Sequence, residues 1–253
     1  MNERSSNEII FLQNLKMFSF YLDKILVAGY NSKAEIVTLH NSQNQNCNLK
    51  EDFPPHNRGT TTAYGVLEGV PLICGGRKGG NVNQDCVAIG HPDLKIQMLE
   101  KREFTSGIVL NYPSKSLWVT GGLSRVNAGK GHSSSEFIYL NKPAEKGPDL
   151  PFEIHKHCMI KYNDSAIFIF GGDLDEAFGS SSSKTWIIDP TNNFNVRNGP
   201  SLSVGKEVMA CGKMTIDGKT WLVVGPNYYS YSHLDLLDPL NVNQGWLKGI
   251  YYF

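Results

Sequence analysis

The sequence has no surplus of charge of either sign. Lys plus Arg and Asp plus Glu both number 24 in 253 residues, so the formal net charge is zero. No global field draws such a chain to a polyanion or an acidic membrane surface. It also lacks any apolar run near the roughly 20 residues that a membrane-crossing helix needs. Met1 to Leu15 holds one short apolar stretch, Ile9 to Leu12, without a basic segment before it or a small-residue cleavage site after it. These absences lead us to expect no nucleic-acid partner, no membrane insertion and a cytoplasmic location.

Cysteine is sparse. The five residues are Cys47, Cys74, Cys86, Cys158 and Cys211, with no CxxC pair. That excludes a zinc ribbon and a thioredoxin-type redox motif. The odd, scattered count predicts reduced and buried thiols, although Cys74 and Cys86 flank one loop and could pair in an oxidising compartment. One sequon, Asn163-Asp164-Ser165, falls at a tight turn. A match of this kind is expected by chance in a chain this long, so it does not place the protein outside the cell.

Signatures of chemistry are missing too. Gly129-Lys130-Gly131 lacks the Ser or Thr and the upstream glycine spacing of a phosphate loop. There is no Gly-x-Ser-x-Gly elbow. His155 and His157 stand two apart on a predicted strand and share a face, but no third metal ligand is near them in sequence. Their expected role is that of hydrogen-bonded histidines near the centre of the fold. We expect no catalytic set, no metal and no cofactor.

What is present is a unit written five times: a strand, a tight turn, an apolar strand, then glycine. In the fourth unit Cys158 to Tyr162 leads through Asn163-Asp164-Ser165 to Ala166 to Phe170 and Gly171-Gly172. In the third, Ile108 to Tyr112 leads to Leu117 to Thr120 and Gly121-Gly122; in the second, Tyr64 to Leu67 leads to Pro71 to Cys74 and Gly75-Gly76. The first unit, ending at Gly29-Tyr30, and the fifth, ending at Gly225-Pro226, have lost the second glycine. The first glycines are 46, 46, 50 and 54 residues apart, longer than most helical repeats. The runs between turns are β-branched and aromatic and too short for helices. Third strands follow at Glu35 to Leu39, Asp85 to Ile89, Glu136 to Leu140, Thr185 to Asp189 and Leu234 to Asp238. Fourth strands are predicted at Leu94 to Leu99, Phe194 to Arg197 and Trp246 to Tyr252. Four antiparallel strands per unit make a propeller blade.

At this point the sequence resembles the kelch family. Gly75-Gly76, Gly121-Gly122 and Gly171-Gly172 match its diglycine, Tyr139 and Trp186 its third-strand aromatic, and Trp246 its fourth-strand Trp. The resemblance implies an all-β, kelch-type β-propeller of about five four-stranded antiparallel blades, or part of an incomplete six-bladed ring. The N-terminal segment 1–16 would hold at most a stray outer strand at Ile9 to Leu12. The propeller would occupy 17–253, in units of about 17–55, 56–100, 101–151, 152–202 and 203–253. The six glycines are expected to be structural. Trp118, Phe168, Phe170, Trp186 and Trp221 are expected to pack between blades.

In this architecture the loops after the second strands share one face. They carry Arg77, Lys78 and Asn81; Arg125, Lys130 and His132; Asp173, Asp175 and Phe178; and Tyr228, Tyr229 and Tyr231. Variable loops on rigid blades suit recognition, and Arg and Tyr dominate interface energetics. The serine runs Ser133 to Ser135 and Ser180 to Ser183 read as flexible linker. The expected function is a monomeric, non-catalytic scaffold that offers these loops to a protein partner of unknown identity. The alternative is a kelch-type propeller enzyme, an oxidase or sugar isomerase acting on a carbohydrate-like substrate, because a propeller fold does not exclude chemistry.

Overall fold

The structure, a computed structural model, describes residues 15–21, 24–29, 34–38, 62–78, 80–124, 131–174, 181–207, 209–216, 218–225 and 233–250. It is all-β. The predicted first unit holds a three-stranded sheet of β1 (Leu15–Tyr21), β2 (Lys24–Gly29) and β3 (Ala34–Thr38). Four four-stranded antiparallel sheets follow as propeller blades. The first blade holds β4 (Thr62–Leu67) and β5 (Val70–Gly75), then a small hairpin of β6 (Arg77–Lys78) and β7 (Asn81–Val82), then β8 (Asp85–Ala88) and β9 (Ile96–Gln97). The second holds β10 (Ser106–Leu110), β11 (Ser116–Thr120), β12 (Ser135–Ile138) and β13 (Glu145–Lys146). The third holds β14 (Cys158–Asn163), β15 (Ala166–Phe170), β16 (Thr185–Asp189) and β17 (Asn195–Asn198). The fourth holds β18 (Cys211–Ile216), β19 (Lys219–Val224), β20 (His233–Leu237) and β21 (Leu247–Ile250). Among the described residues four blades are complete, and the predicted first unit shows three strands. The predicted stray strand at Ile9 to Leu12 lies outside the described residues.

Each blade is a simple meander, and the first strands of successive blades pack on one another, which places them innermost. The central residues of the second strands are apolar because they pack against neighbouring blades. Side chains alternate between those faces. Leu117 and Val119 of β11 enter the layer shared with Ala63, Leu72 and Cys74, whereas Trp118 enters the next layer with Ile167 and Ile169. On β15 the split repeats: Ile167 and Ile169 face backward, while Phe168 and Phe170 face forward to Leu222 and Val224. Full burial of each such side chain is worth about 1.5–3 kcal/mol. Aromatics lock successive blades together. Phe194 lies 5.1 Å from Trp118, and Trp246 meets Phe170 edge-on at 5.3 Å while donating its indole N–H to the Pro200 carbonyl at 2.8 Å.

The cysteines correct the expectation of reduced thiols. Cys74 on β5 stands directly opposite Cys86 on β8, and the two form a disulfide. Cys158, at the start of β14, is bonded to Cys211, at the start of β18, and so joins the first strands of two blades. That partner is 53 residues away in sequence, and only the stacking of blades brings it close. Cys47 lies outside the described residues. The paired-histidine strand is also corrected: His155 and His157 both precede β14.

Candidate interaction face

Every second strand ends at the same edge of the fold, and the loops that leave it begin at a glycine corner. At Gly121 the backbone has φ +60, and a Cβ would lie 2.3 Å from the carbonyl oxygen of Ile154. At Gly171 the values are φ +56 and 2.3 Å from the Lys206 carbonyl oxygen. Only glycine combines that backbone angle with so close an approach. The segment leading into the next blade runs through the gap. Its carbonyls accept from the second glycine of each pair: Gly76 N–H to Arg102 at 2.7 Å, Gly122 N–H to Ile154 at 2.8 Å, and Gly172 N–H to Lys206 at 2.7 Å. Arg102, Ile154 and Lys206 are therefore equivalent positions, spaced 52 residues apart.

Two of these positions carry buried cations. Arg102 is 1% exposed and uses all five of its N–H groups. Nε donates to Glu136 at 2.8 Å, Nη1 to the carbonyls of Gly121 and Ser134, and Nη2 to Glu100 and the Ser134 hydroxyl. Glu136 on β12 is equally buried and also accepts the Leu99 N–H. Lys206 repeats the device: it donates to the Gly225 carbonyl at 2.9 Å and pairs with buried Asp235 on β20 at 2.9 Å. Burial pushes its ammonium below the ordinary lysine value, against the pull of Asp235. Ile154 replaces the cation in the remaining case and joins the apolar layer instead.

One residue further along, the loop bases meet the same lead-in segments. Arg77 grips the buried Glu103 with Nε and Nη2, and that hydrogen bonding holds the guanidinium above its ordinary value. Lys156 sits 3.0 Å from Glu207 and 3.7 Å from Asp173. His155 Nε2 lies 3.8 Å from Asp173, and the two backbones pair in both directions. His157 shares a 2.9 Å hydrogen bond with the Thr120 hydroxyl across the blade junction. No group of three or more potential metal ligands occurs among the described residues.

The returning limbs of the loops are structured, which corrects the reading of the serine runs as linker. Ser133 and Ser183 accept the N–H groups of Leu150 and Leu202, and Ser182 accepts that of Lys206. Of the predicted site residues, Arg77 is partly exposed, Asn81 is exposed on β7, and the Lys78 backbone lies on β6. Asp173 is 2% exposed and turned into the blade junction. His132 is half-buried with Nδ1 3.3 Å from Glu100; burial, and then the Arg102 guanidinium, push its imidazole below the ordinary value. Arg125, Lys130, Asp175, Phe178, Tyr228, Tyr229 and Tyr231 lie outside the described residues. Sequence reading missed Arg102, Glu103, Lys206 and Glu207. Their signal was a charged pair recurring at a fixed spacing before a first strand.

No family model and no curated protein matches the chain. Solved structures do match. One, a protein named YjhT, superposes with a TM-score of 0.65 over 84% of this chain and 71% of its own, at 11% sequence identity. At that identity the likeness is one of fold, and it agrees with the propeller described above.

Proposed function

We propose that this protein is a kelch-type, non-catalytic interaction module that presents the loops after its second strands to a protein partner. The observation that carries the reading is the anchoring of those loops. The loops after β5, β11 and β15 begin at a glycine pair bonded to the lead-in segment of the next blade, and the returning limbs at 131–134 and 181–184 bond to the lead-in segments. A loop held at both ends loses less entropy on binding than a free one. The charges nearest the corners are already engaged: Arg77 with Glu103, and Asp173 with Lys156 and His155. We therefore assign contact with a partner to the remaining loop residues of the sequence, Asn81, Arg125, Lys130, Asp175, Phe178, Tyr228, Tyr229 and Tyr231. Absence of surplus charge on the chain as a whole favours a protein over a nucleic acid.

The test is affinity purification with mass spectrometry, comparing the natural chain with two variants. One carries Arg125→Glu and Lys130→Glu; the other carries Tyr228→Ala and Tyr229→Ala. Loss of a shared set of partners from both, with melting unchanged, supports the reading. An unaltered partner set overturns it, and so does stoichiometric copper in the purified protein, which would favour oxidase chemistry.

A further inference from the structure

We propose that Asn163 is an N-glycosylation site and that the chain folds in the oxidising, secretory compartment where that modification is made. The inference does not depend on the interaction role proposed above. It replaces the cytoplasmic location expected from composition.

Two independent features converge on it. The first is the pairing of four of the five cysteines. Cys74 and Cys86 face one another across two adjacent strands with Cα atoms 4.0 Å apart, and Cys158 and Cys211 bridge two blades with Cα atoms 6.1 Å apart. Structural disulfides persist in secreted and lumenal proteins and are rare where glutathione and thioredoxin keep thiols reduced. Neither pair belongs to a CxxC motif, and Cys74, Cys86 and Cys158 are buried in the layers between blades, which sets them apart from exposed redox sensors.

The second is the geometry of the sequon. Asn163, Asp164 and Ser165 form the tip of the β14–β15 hairpin, and all three are exposed. Asn163 Oδ1 accepts both the Ser165 N–H at 3.0 Å and the Ser165 hydroxyl at 3.1 Å. This Asx turn uses the hydroxyl that the third sequon position must supply. It engages the amide oxygen and so leaves Nδ2 as the atom to react. The tip is held from both sides. Lys161 pairs with Asp164 at 2.6 Å, and Asn111 in the preceding blade donates to it at 3.2 Å.

In the reaction, Nδ2 attacks the anomeric carbon of an oligosaccharide carried on a lipid pyrophosphate. The N–C bond forms and the C–O bond to pyrophosphate breaks. The lipid pyrophosphate leaves with the electron pair, and one Nδ2 proton passes to a base on the transferring enzyme. The position also suits the interaction role. Asn163 pairs with Ala166 at one end of the hairpin, whereas Cys158 pairs with Phe170 beside the glycine corner at the other. A glycan on Asn163 would project from the edge opposite the loops.

Two measurements test this on the full chain isolated from the cells that make it. Peptides released with peptide N-glycosidase in heavy-oxygen water are sequenced by mass spectrometry, and unreduced protein is alkylated in denaturant to count free thiols. We expect Asn163 to return as heavy-labelled Asp and four cysteines to resist alkylation. The Ser165→Ala variant, secreted from eukaryotic cells, should lose the sugar and keep its disulfides and melting temperature; Ser165→Thr should keep the sugar. An oxidised, secreted chain with unmodified Asn163 overturns the site. Five alkylated cysteines in the native chain overturn the compartment.

Discussion

Gly69 precedes β5 and Gly75 ends it; the two share a backbone region, with φ of +81 and +75, yet their surroundings differ completely. A Cβ at Gly69 would meet nothing within 4 Å, whereas one at Gly75 would lie 2.5 Å from the Arg102 carbonyl oxygen and 2.9 Å from Met98 Cε. Gly69→Ala therefore costs only the left-handed backbone term, about 1–2 kcal/mol. Gly75→Ala carries the same term and must also push the lead-in segment away. That lengthens the 2.7 Å hydrogen bond from Gly76 to Arg102, worth about 1 kcal/mol. It also disturbs the five-bonded guanidinium on the same residue, which brings the total to about 3–5 kcal/mol. In a domain of this size each kcal/mol lowers Tm by about 2–4 °C. Urea unfolding of both variants, followed by Trp fluorescence with the disulfides intact, measures the difference. Equal losses for the two, within about 0.5 kcal/mol, would refute the claim that inter-blade contact selects the glycine pair.

Removing Arg102 strands the buried Glu136, so Arg102→Met should cost about 3–5 kcal/mol in urea unfolding. Arg102→Lys should recover only part of it, because an ammonium cannot make five planar contacts; full recovery by Lys would contradict the fork geometry. Reduction should destabilise the fold. By loop closure, the 53-residue separation of Cys158 and Cys211 corresponds to about 4 kcal/mol and the 12-residue separation of Cys74 and Cys86 to about 3 kcal/mol. Identical melts with and without a phosphine reductant would count against both bridges. Asp238 is held down to about 2 by Asn241, then by Lys219 and the Leu240 N–H. Its folded value lies below the unfolded carboxyl value of about 4, so its stabilisation is complete above pH ~4 and fades as the pH falls toward ~2. Asp238→Asn should flatten that acid limb; a limb unchanged from the parent chain would show that other carboxylates govern it.

Much of the blade was legible because its determinants are local. The strands Cys158–Asn163, Ala166–Phe170 and Thr185–Asp189 fall within a residue of where alternation and turn residues put them. The short outer strand Glu145–Lys146 was not legible, since two exposed charged residues carry no periodic signal. The candidate face was legible only in outline. Arg77 and Asp173 stood out as loop charges, but their partners Glu103 and Lys156 come from the next lead-in segment, where nothing local marks them as a pair. The serine runs misled for a related reason. Small polar residues suit a flexible tether, and equally a strap whose backbone is bonded elsewhere.

The sequence by itself determined that the chain is a meander of short strands, where each hairpin turns, and that glycine closes the second strand. These depend on side-chain alternation and backbone angle within a few residues. Tertiary structure alone decided what the repeats do for one another. It stacked the blades, made cysteines 53 residues apart into a bridge, and buried Arg102 and Lys206 against acids of the next blade. Those outcomes depend on which side chains meet across the gap between blades, a distance that sequence spacing does not encode.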